Sequence, residues 1–93
     1  VIKMKQGKNI YKAGKLIKIA MDYDSEIRKI QITGDFFLYP EEAIEKLQLQ
    51  LQGTELNREK LIERINRIFQ NEKIEAFGFN AEQLTEAILG ACK

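Results

Sequence analysis

Two short stretches of the chain carry side chains that could take part in chemistry. In Gly14-Lys15 a lysine follows a flexible glycine. Such a lysine can reach a phosphate or carboxylate as a mobile cation, or it can be an ordinary exposed lysine. Spacing alone leaves both readings open. In Gly34-Asp35 the glycine allows backbone angles that other residues avoid, so a strand can break there. Asp35 can bond N–H groups of that turn, or it can pair with Lys15 or with a partner's cation. Cys92, beside the last residue, has no neighbouring pattern that would activate a thiolate and reads as an ordinary thiol. Histidine is absent. Its absence removes the commonest general base, any Ser-His-Asp or Cys-His arrangement and most zinc sites. No phosphate-binding glycine loop, dinucleotide fingerprint, metal cluster or nucleophile elbow occurs.

The aromatic run Phe36-Phe37-Leu38-Tyr39, between Gly34-Asp35 and Pro40-Glu41-Glu42, is unusual for a short connection. In an extended segment alternate side chains point to opposite faces. Phe36 and Leu38 keep register with Ile30 and Ile32 and should enter the core. Phe37 and Tyr39 then face outward, a candidate exposed apolar surface that small monomers avoid without reason.

Composition bounds what the chain can be. Its 93 residues allow one domain, residues 1–93, with one modest core. Apolar residues make up 44% and charged residues 31%, as in globular proteins and unlike disordered ones. A net charge of +1 is too balanced for a nucleic-acid binder driven by its overall charge. The basic residues nevertheless cluster: Lys3, Lys5, Lys8, Lys12, Lys15 and Lys18 precede every acidic residue. They form either a solvated sheet edge that discourages edge pairing or a binding surface. A lone cysteine gives no sign of a secreted disulfide scaffold. No apolar run has membrane-spanning length and no signal-peptide pattern is present, so the expected location is cytoplasmic. The chain begins at Val1 rather than Met, which leaves open a processed or trimmed start.

The elements that must position these residues follow from periodicity. Asn9 to Ala13 reads as a short strand, with Gly14-Lys15 as its punctuation. Leu16 to Tyr23 alternates, with Ile17, Ile19, Met21 and Tyr23 on one face. Asp24-Ser25-Glu26 is a turn whose side chains can bond nearby backbone. Ile27 to Thr33 follows, with Arg28, Ile30 and Ile32 on one face and Ile27, Lys29, Gln31 and Thr33 on the other. Strands joined by such short links pair antiparallel, giving a three-stranded meander with one buried face.

The remainder reads as three helices. Pro40 suits a first helical position, Glu41 and Glu42 favour the positive end of the helix dipole, and Gly53 ends the segment. Ala43, Ile44, Leu47 and Leu51 form its stripe. Gln48 to Gln52 alternates as a strand would, yet Gln and Leu are good helix formers and the start signals are strong. Leu49 then lies off the stripe and must find another neighbour. Asn57 caps the second helix, with Leu56 and Leu61 as a staple and Glu63 with Arg67 as a supporting pair. Its stripe is Leu61, Ile62, Ile65, Ile68 and Phe69. Asn71 to Gly78 is a connection with Phe77 available for the core. Asn80 and Gln83 form a capping box for the third helix, with Phe79 and Leu84 as its staple and Leu84, Ala87, Ile88 and Ala91 as its stripe. The expected fold is α+β: a three-stranded antiparallel sheet followed by three helices packed on one face, in the order β-β-β-α-α-α.

The stretch from Tyr11 to Leu47 resembles the accessory, C-terminal domain of lipoate–protein ligases. The resemblance is carried by Gly14-Lys15-Leu16, the strand pair, Gly34-Asp35-Phe36-Phe37 and Pro40-Glu41-Glu42-Ala43. Gly78 to Ala91 is similar to the family's closing helix, so most of the chain is covered. The likeness is strongest to the form that archaea encode as a separate small polypeptide. It implies an accessory subunit of a two-component ligase, not catalytic alone. The large catalytic domain of that family binds lipoate and ATP, forms lipoyl-adenylate and passes the lipoyl group to a lysine of an acceptor domain. Its signature Arg-rich and Gly-rich motif is missing here, and 93 residues could not hold that domain. The resemblance therefore implies a heterodimer with the catalytic subunit. ATP, Mg and lipoate are used by the complex, and none is bound by this chain alone. Gly14, Lys15 and Asp35 become candidates for the neighbourhood of the adenylate, with Phe37 and Tyr39 as the partner contact. No metal ligand, nucleic-acid partner or membrane partner is implied.

The same β-then-α order also looks like sulfur-acceptor and iron–sulfur scaffold proteins. Their chemistry needs thiolates on exposed loops, and here no cysteine lies in the β region. A non-catalytic adaptor of another enzyme is the third reading.

Overall fold

The structure, a computed structural model, describes residues 4–92. Lys3 of the basic cluster lies outside the described residues. The elements in chain order are β1 (Lys5–Lys12), β2 (Leu16–Tyr23), β3 (Ile27–Gly34), β4 (Phe37–Tyr39), α1 (Ala43–Leu51), α2 (Arg58–Asn71), β5 (Glu75–Phe77) and α3 (Ala81–Gly90). The α+β class and the three-stranded antiparallel sheet, with β2 in its centre, are as expected. The order differs. β4 and β5 form a second, two-stranded antiparallel ribbon, and β5 interrupts the helical half. Three-residue strands are too short to carry a period-two signal, and neither is stable without its partner far along the chain. β1 is also longer than expected and begins at Lys5.

The alternation of β2 is realised in full: Ile17, Ile19, Met21 and Tyr23 are buried under the helices. β3 departs from strict alternation. Asp22 faces Lys29 but Tyr23 faces Ile27, so Arg28 is an extra residue in the ladder. The bulge turns Ile27 into the core with Ile30 and Ile32, and puts Arg28 in solvent, reversing the expected faces of both. Arg28 then reaches back to the turn. Its Nε donates to Asp24 Oδ2 at 2.9 Å, while Asp24 Oδ1 accepts from the Glu26 N–H at 2.9 Å. The Glu26 N–H and then the Arg28 guanidinium hold the Asp24 carboxyl below its ordinary value.

α1 starts at Ala43, three residues later than Pro40 was expected to start it. Residues 40–42 close a turn in which the Ala43 N–H donates to the Pro40 carbonyl. The Tyr39–Pro40 peptide bond is cis. Ala43, Leu47 and Leu51 are buried, and the alternating glutamines bridge in two directions. Gln48 Oε1 accepts from the Ile32 N–H of β3 at 2.7 Å, and Gln50 Nε2 donates to Glu72 at the end of α2. Leu49 finds no core neighbour and stays 66% exposed. α2 is capped by Asn57, whose side chain accepts from the Lys60 N–H. α3 carries the expected reciprocal box between Asn80 and Gln83, which satisfies two otherwise unpaired N–H groups. α1 packs on β3 and α3 on β1 and β2, whereas α2 packs on the other two helices. The helices thus do not all lie directly on the sheet. Arg58 at the start of α2 pairs with Glu86 of α3.

Phe77 was expected in the core and is 52% exposed. β5 alternates, so Glu75 and Phe77 point out and Ala76 inward. Ile74 and Phe79 occupy the core on either side of it.

Candidate functional site

Three parts of the chain meet at one end of the sheet. The Lys15 N–H donates to the Gly78 carbonyl at 2.9 Å, and the Asp35 N–H donates to the Leu16 carbonyl at 3.1 Å. The Gly14-Lys15 turn, the Gly34-Asp35 break and the segment after β5 are therefore joined through backbone. Two glycines make the approach feasible. Gly34 has φ +148°, and a Cβ there would stand 2.0 Å from the Leu16 carbonyl oxygen. Gly78 has φ +112°, and a Cβ there would stand 2.7 Å from Lys15 Cγ. The alkyl stem of Lys15 thus lies across Gly78, and the residue is exposed.

The corner gathers Gly14, Lys15 and Asp35 but does not pair the two charges. Among the described residues no ion pair joins Lys15 to Asp35. Asp35 holds the turn through its backbone N–H rather than through its exposed carboxylate, a correction to the role expected for that side chain. Both side chains are exposed, and among the described residues neither makes an ion pair.

Beside this corner the β4–β5 ribbon divides its bulk as alternation predicts. Leu38 is buried and Phe36 half-buried. Phe36 meets Phe79 edge-on, with ring centroids 5.0 Å apart, and Phe79 in turn stands 6.3 Å from Phe69 of α2. An edge-to-face pair of this kind contributes about 0.5–1.5 kcal/mol beyond its buried area. On the other face Phe37 and Tyr39 are 51% and 62% exposed. Phe77 stands directly across from Phe37, and Glu75 across from Tyr39. The outer face of the ribbon is therefore an aromatic patch of Phe37, Tyr39 and Phe77. Phe77 was missed in the sequence because its segment read as a connection. Residues 75–77 are too few for a period-two pattern, so no local signal marks Phe77.

The remaining chemistry is sparse. Cys92 is half-buried, its thiol donates to the Ile88 carbonyl, and burial pushes its pKa up, so it is the opposite of an activated thiolate. Among the described residues no three acidic or thiol side chains stand together to hold a metal ion. No helix of the described residues is long and apolar enough to cross a membrane. What the site offers is an exposed aromatic surface next to an exposed lysine.

Residues 7–88 match the family described as Bacterial lipoate protein ligase C-terminus. The chain is 36% identical over 74 residues to Lipoate-protein ligase A subunit 2 of Thermoplasma acidophilum, covering 78% of this chain and 76% of that protein. Its fold matches a chain from the structural analysis of an archaeal lipoylation system, a bi-partite lipoate protein ligase and its E2 lipoyl domain from Thermoplasma acidophilum. That match has a TM-score of 0.80 at 30% identity and covers 92% of this chain and 97% of the other.

Proposed function

The chain belongs to the lipoate protein ligase C-terminal family, and from that premise we propose that it is the accessory subunit of a two-component lipoate–protein ligase. It docks on a separate catalytic subunit. Together the two chains activate lipoate with ATP to lipoyl-adenylate, and the lipoyl group then passes to a lysine of an acceptor domain. ATP, its magnesium and lipoate are substrates of the complex and are held mainly by the catalytic chain.

The observation that carries this reading is the outer face of the ribbon. Phe37, Tyr39 and Phe77 are large, half-exposed and adjacent. Aromatic residues in such a patch are the usual anchors of protein interfaces. The subunit number in the name of the Thermoplasma acidophilum relative supports a two-chain enzyme. Lys15, held beside the patch, adds positive charge where negative charge builds on the phosphates during adenylation, an electrostatic role that needs no proton transfer. Asp35 and Gly14 shape the turn that presents it.

The test is reconstitution. Purified catalytic chain is mixed with this chain, lipoate, ATP and acceptor protein, and adenylate and lipoylated acceptor are followed by mass spectrometry. Both should form faster in the mixture than with the catalytic chain alone. Equal rates would overturn the proposal.

A further inference from the structure

Resting on that docking reading, we propose that the contact surface continues past the ribbon onto the outer face of the three-stranded sheet, and that the catalytic subunit meets this part with an acidic patch. In a two-layer domain the helices cover one face of the sheet. No described element covers the other. Its rows follow from the register. Ile10 of β1 faces Lys18 of β2, which faces Thr33 of β3; Lys8 faces Ala20, which faces Gln31. Lys12 lies above this pair of rows and Lys29 below it.

Two properties mark this face as more than solvated surface. On the edge strand β1, Ile10, a β-branched apolar side chain, is 66% exposed, with the half-buried Ala20 diagonal to it on β2. Lys8, Lys12 and Lys18 flank Ile10, and Lys29 lies on β3 across from Asp22. Among the described residues none of these four makes an ion pair, and Asp22 is the one acid on the strands' outer positions. An exposed apolar side chain flanked by lysines is complementary to an apolar spot flanked by carboxylates.

The face is also continuous with the ribbon. A concavity of about 570 Å³ lies over Ile10, Lys18, Ala20, Gln31 and Thr33. A second, of about 290 Å³, runs from Thr33 to Phe36 and Phe37. Thr33 borders both, so the two surfaces adjoin at the end of β3, with Glu41 on the ribbon side of the second. A protein fits better than a nucleic acid, because a net charge of +1 gives the chain little overall attraction for a polyanion. The aromatic residues of β1 and β2, Tyr11 and Tyr23, are turned to the helices.

The test titrates the catalytic chain, by calorimetry at low and high salt, with three proteins: the unmodified chain, the triple variant Lys8→Glu/Lys18→Glu/Lys29→Glu, and the double variant Phe37→Ser/Tyr39→Ser. Circular dichroism and thermal melts confirm that each is folded. The expected result is a loss of about tenfold or more in affinity for the triple variant at low salt. The unmodified chain should weaken with salt and the triple variant should not, since exposed charges act through screened distances. A triple variant that binds like the unmodified chain, while the aromatic variant fails, overturns this inference and leaves the docking reading standing. Failure of the unmodified chain to bind at all removes both. The acceptor domain and an oligonucleotide are titrated in parallel; a triple variant that keeps the catalytic chain but loses either of them also overturns the inference, because the lysines then serve a different partner.

Discussion

Phe37 of β4 and Phe77 of β5 face one another across the ribbon, ring centroids 6.2 Å apart and planes tilted by 46°, with about half of each ring in solvent. A cross-strand aromatic pair contributes roughly 0.2–1 kcal/mol to a ribbon. That is small beside what a half-exposed ring gains when a partner covers it. Phe37→Ala and Phe77→Ala should each cost the isolated chain no more than about 1 kcal/mol, read by urea denaturation. The same changes should weaken binding to the catalytic chain by about 2 kcal/mol, roughly 30-fold, as at interface anchors. Variants that lose stability but not affinity would show the pair to be structural.

Gly34 and Gly78 lie at the joint between sheet and ribbon, and their substitution should separate two kinds of damage. Gly34→Ala drives a Cβ into the Leu16 carbonyl, which is backbone and cannot move aside. Gly78→Ala drives it against Lys15 Cγ and Cβ at 2.7 and 2.9 Å, a less severe approach in which the Cγ can rotate and the Cβ cannot. Both also pay for an L residue at positive φ, on the order of 1–3 kcal/mol. Gly34→Ala should therefore be the more destabilising of the two in thermal melts, and Gly78→Ala should displace Lys15 in a solved structure.

Lys15→Ala should leave the fold and the docking intact, because the side chain is exposed and makes no ion pair among the described residues. On the proposed function it should slow adenylate formation in the reconstituted pair, while transfer from preformed lipoyl-adenylate proceeds unchanged. A rate of activation equal to that of the unmodified chain would take Lys15 out of the chemistry.

Gln48 closes the open edge of β3 by accepting the Ile32 N–H. Gln48→Ala leaves that part-buried donor without its acceptor, at a cost of about 1–3 kcal/mol. Gln48→Glu keeps an acceptor oxygen in place. The alanine variant should lose stability and hydrogen-exchange protection at the Ile32 amide, and the glutamate variant should recover most of both. Equal protection in all three proteins would mean that the bond contributes nothing.

Asp24 and Glu72 make the acid limb of stability predictable in sign. The Asp24 carboxyl lies below its ordinary value of 3.8 because the Glu26 N–H and the Arg28 guanidinium bond its charged form. The Glu72 carboxyl lies below its ordinary value of 4.5 because Gln50, then Lys46, does the same. A carboxyl with a depressed folded pKa stabilises above its unfolded value and loses that contribution as pH falls through the folded one. Asp24→Asn should therefore destabilise at pH 7, and its difference from the unmodified chain should shrink as the pH is taken below about 4. A difference that stays constant across that range would show that the charge is not involved.

The features legible in the sequence are those set by near neighbours. The Asn57 cap and the Asn80–Gln83 box span three residues, and both were readable from residue type alone. The alternation of Ile17 to Tyr23 and the split of Phe36 and Leu38 from Phe37 and Tyr39 follow from strand geometry. What escaped depends on distant pairing. β5 exists because Phe37 finds Phe77, and without that partner Glu75 to Phe77 carries too little pattern. The bulge at Arg28 breaks strict alternation for a reason that lies in the facing strand, not in β3 itself. The candidate site was half visible. Gly14-Lys15 and Gly34-Asp35 were recognisable as turns, whereas Gly78, which locks the first of them to the ribbon, belongs to a segment that read as a plain connection.

The two backbone bonds at the joint, Lys15 to Gly78 and Asp35 to Leu16, bind the aromatic ribbon to the sheet at both of its ends of approach. A loop carrying the same rings would have to be ordered on each encounter, and that loss of freedom would be subtracted from its affinity. Here the rings are presented by a frame already assembled. Association should therefore approach the rate of rigid-body docking, and tightness should be tuned by how slowly the partner leaves rather than by how often it arrives correctly folded.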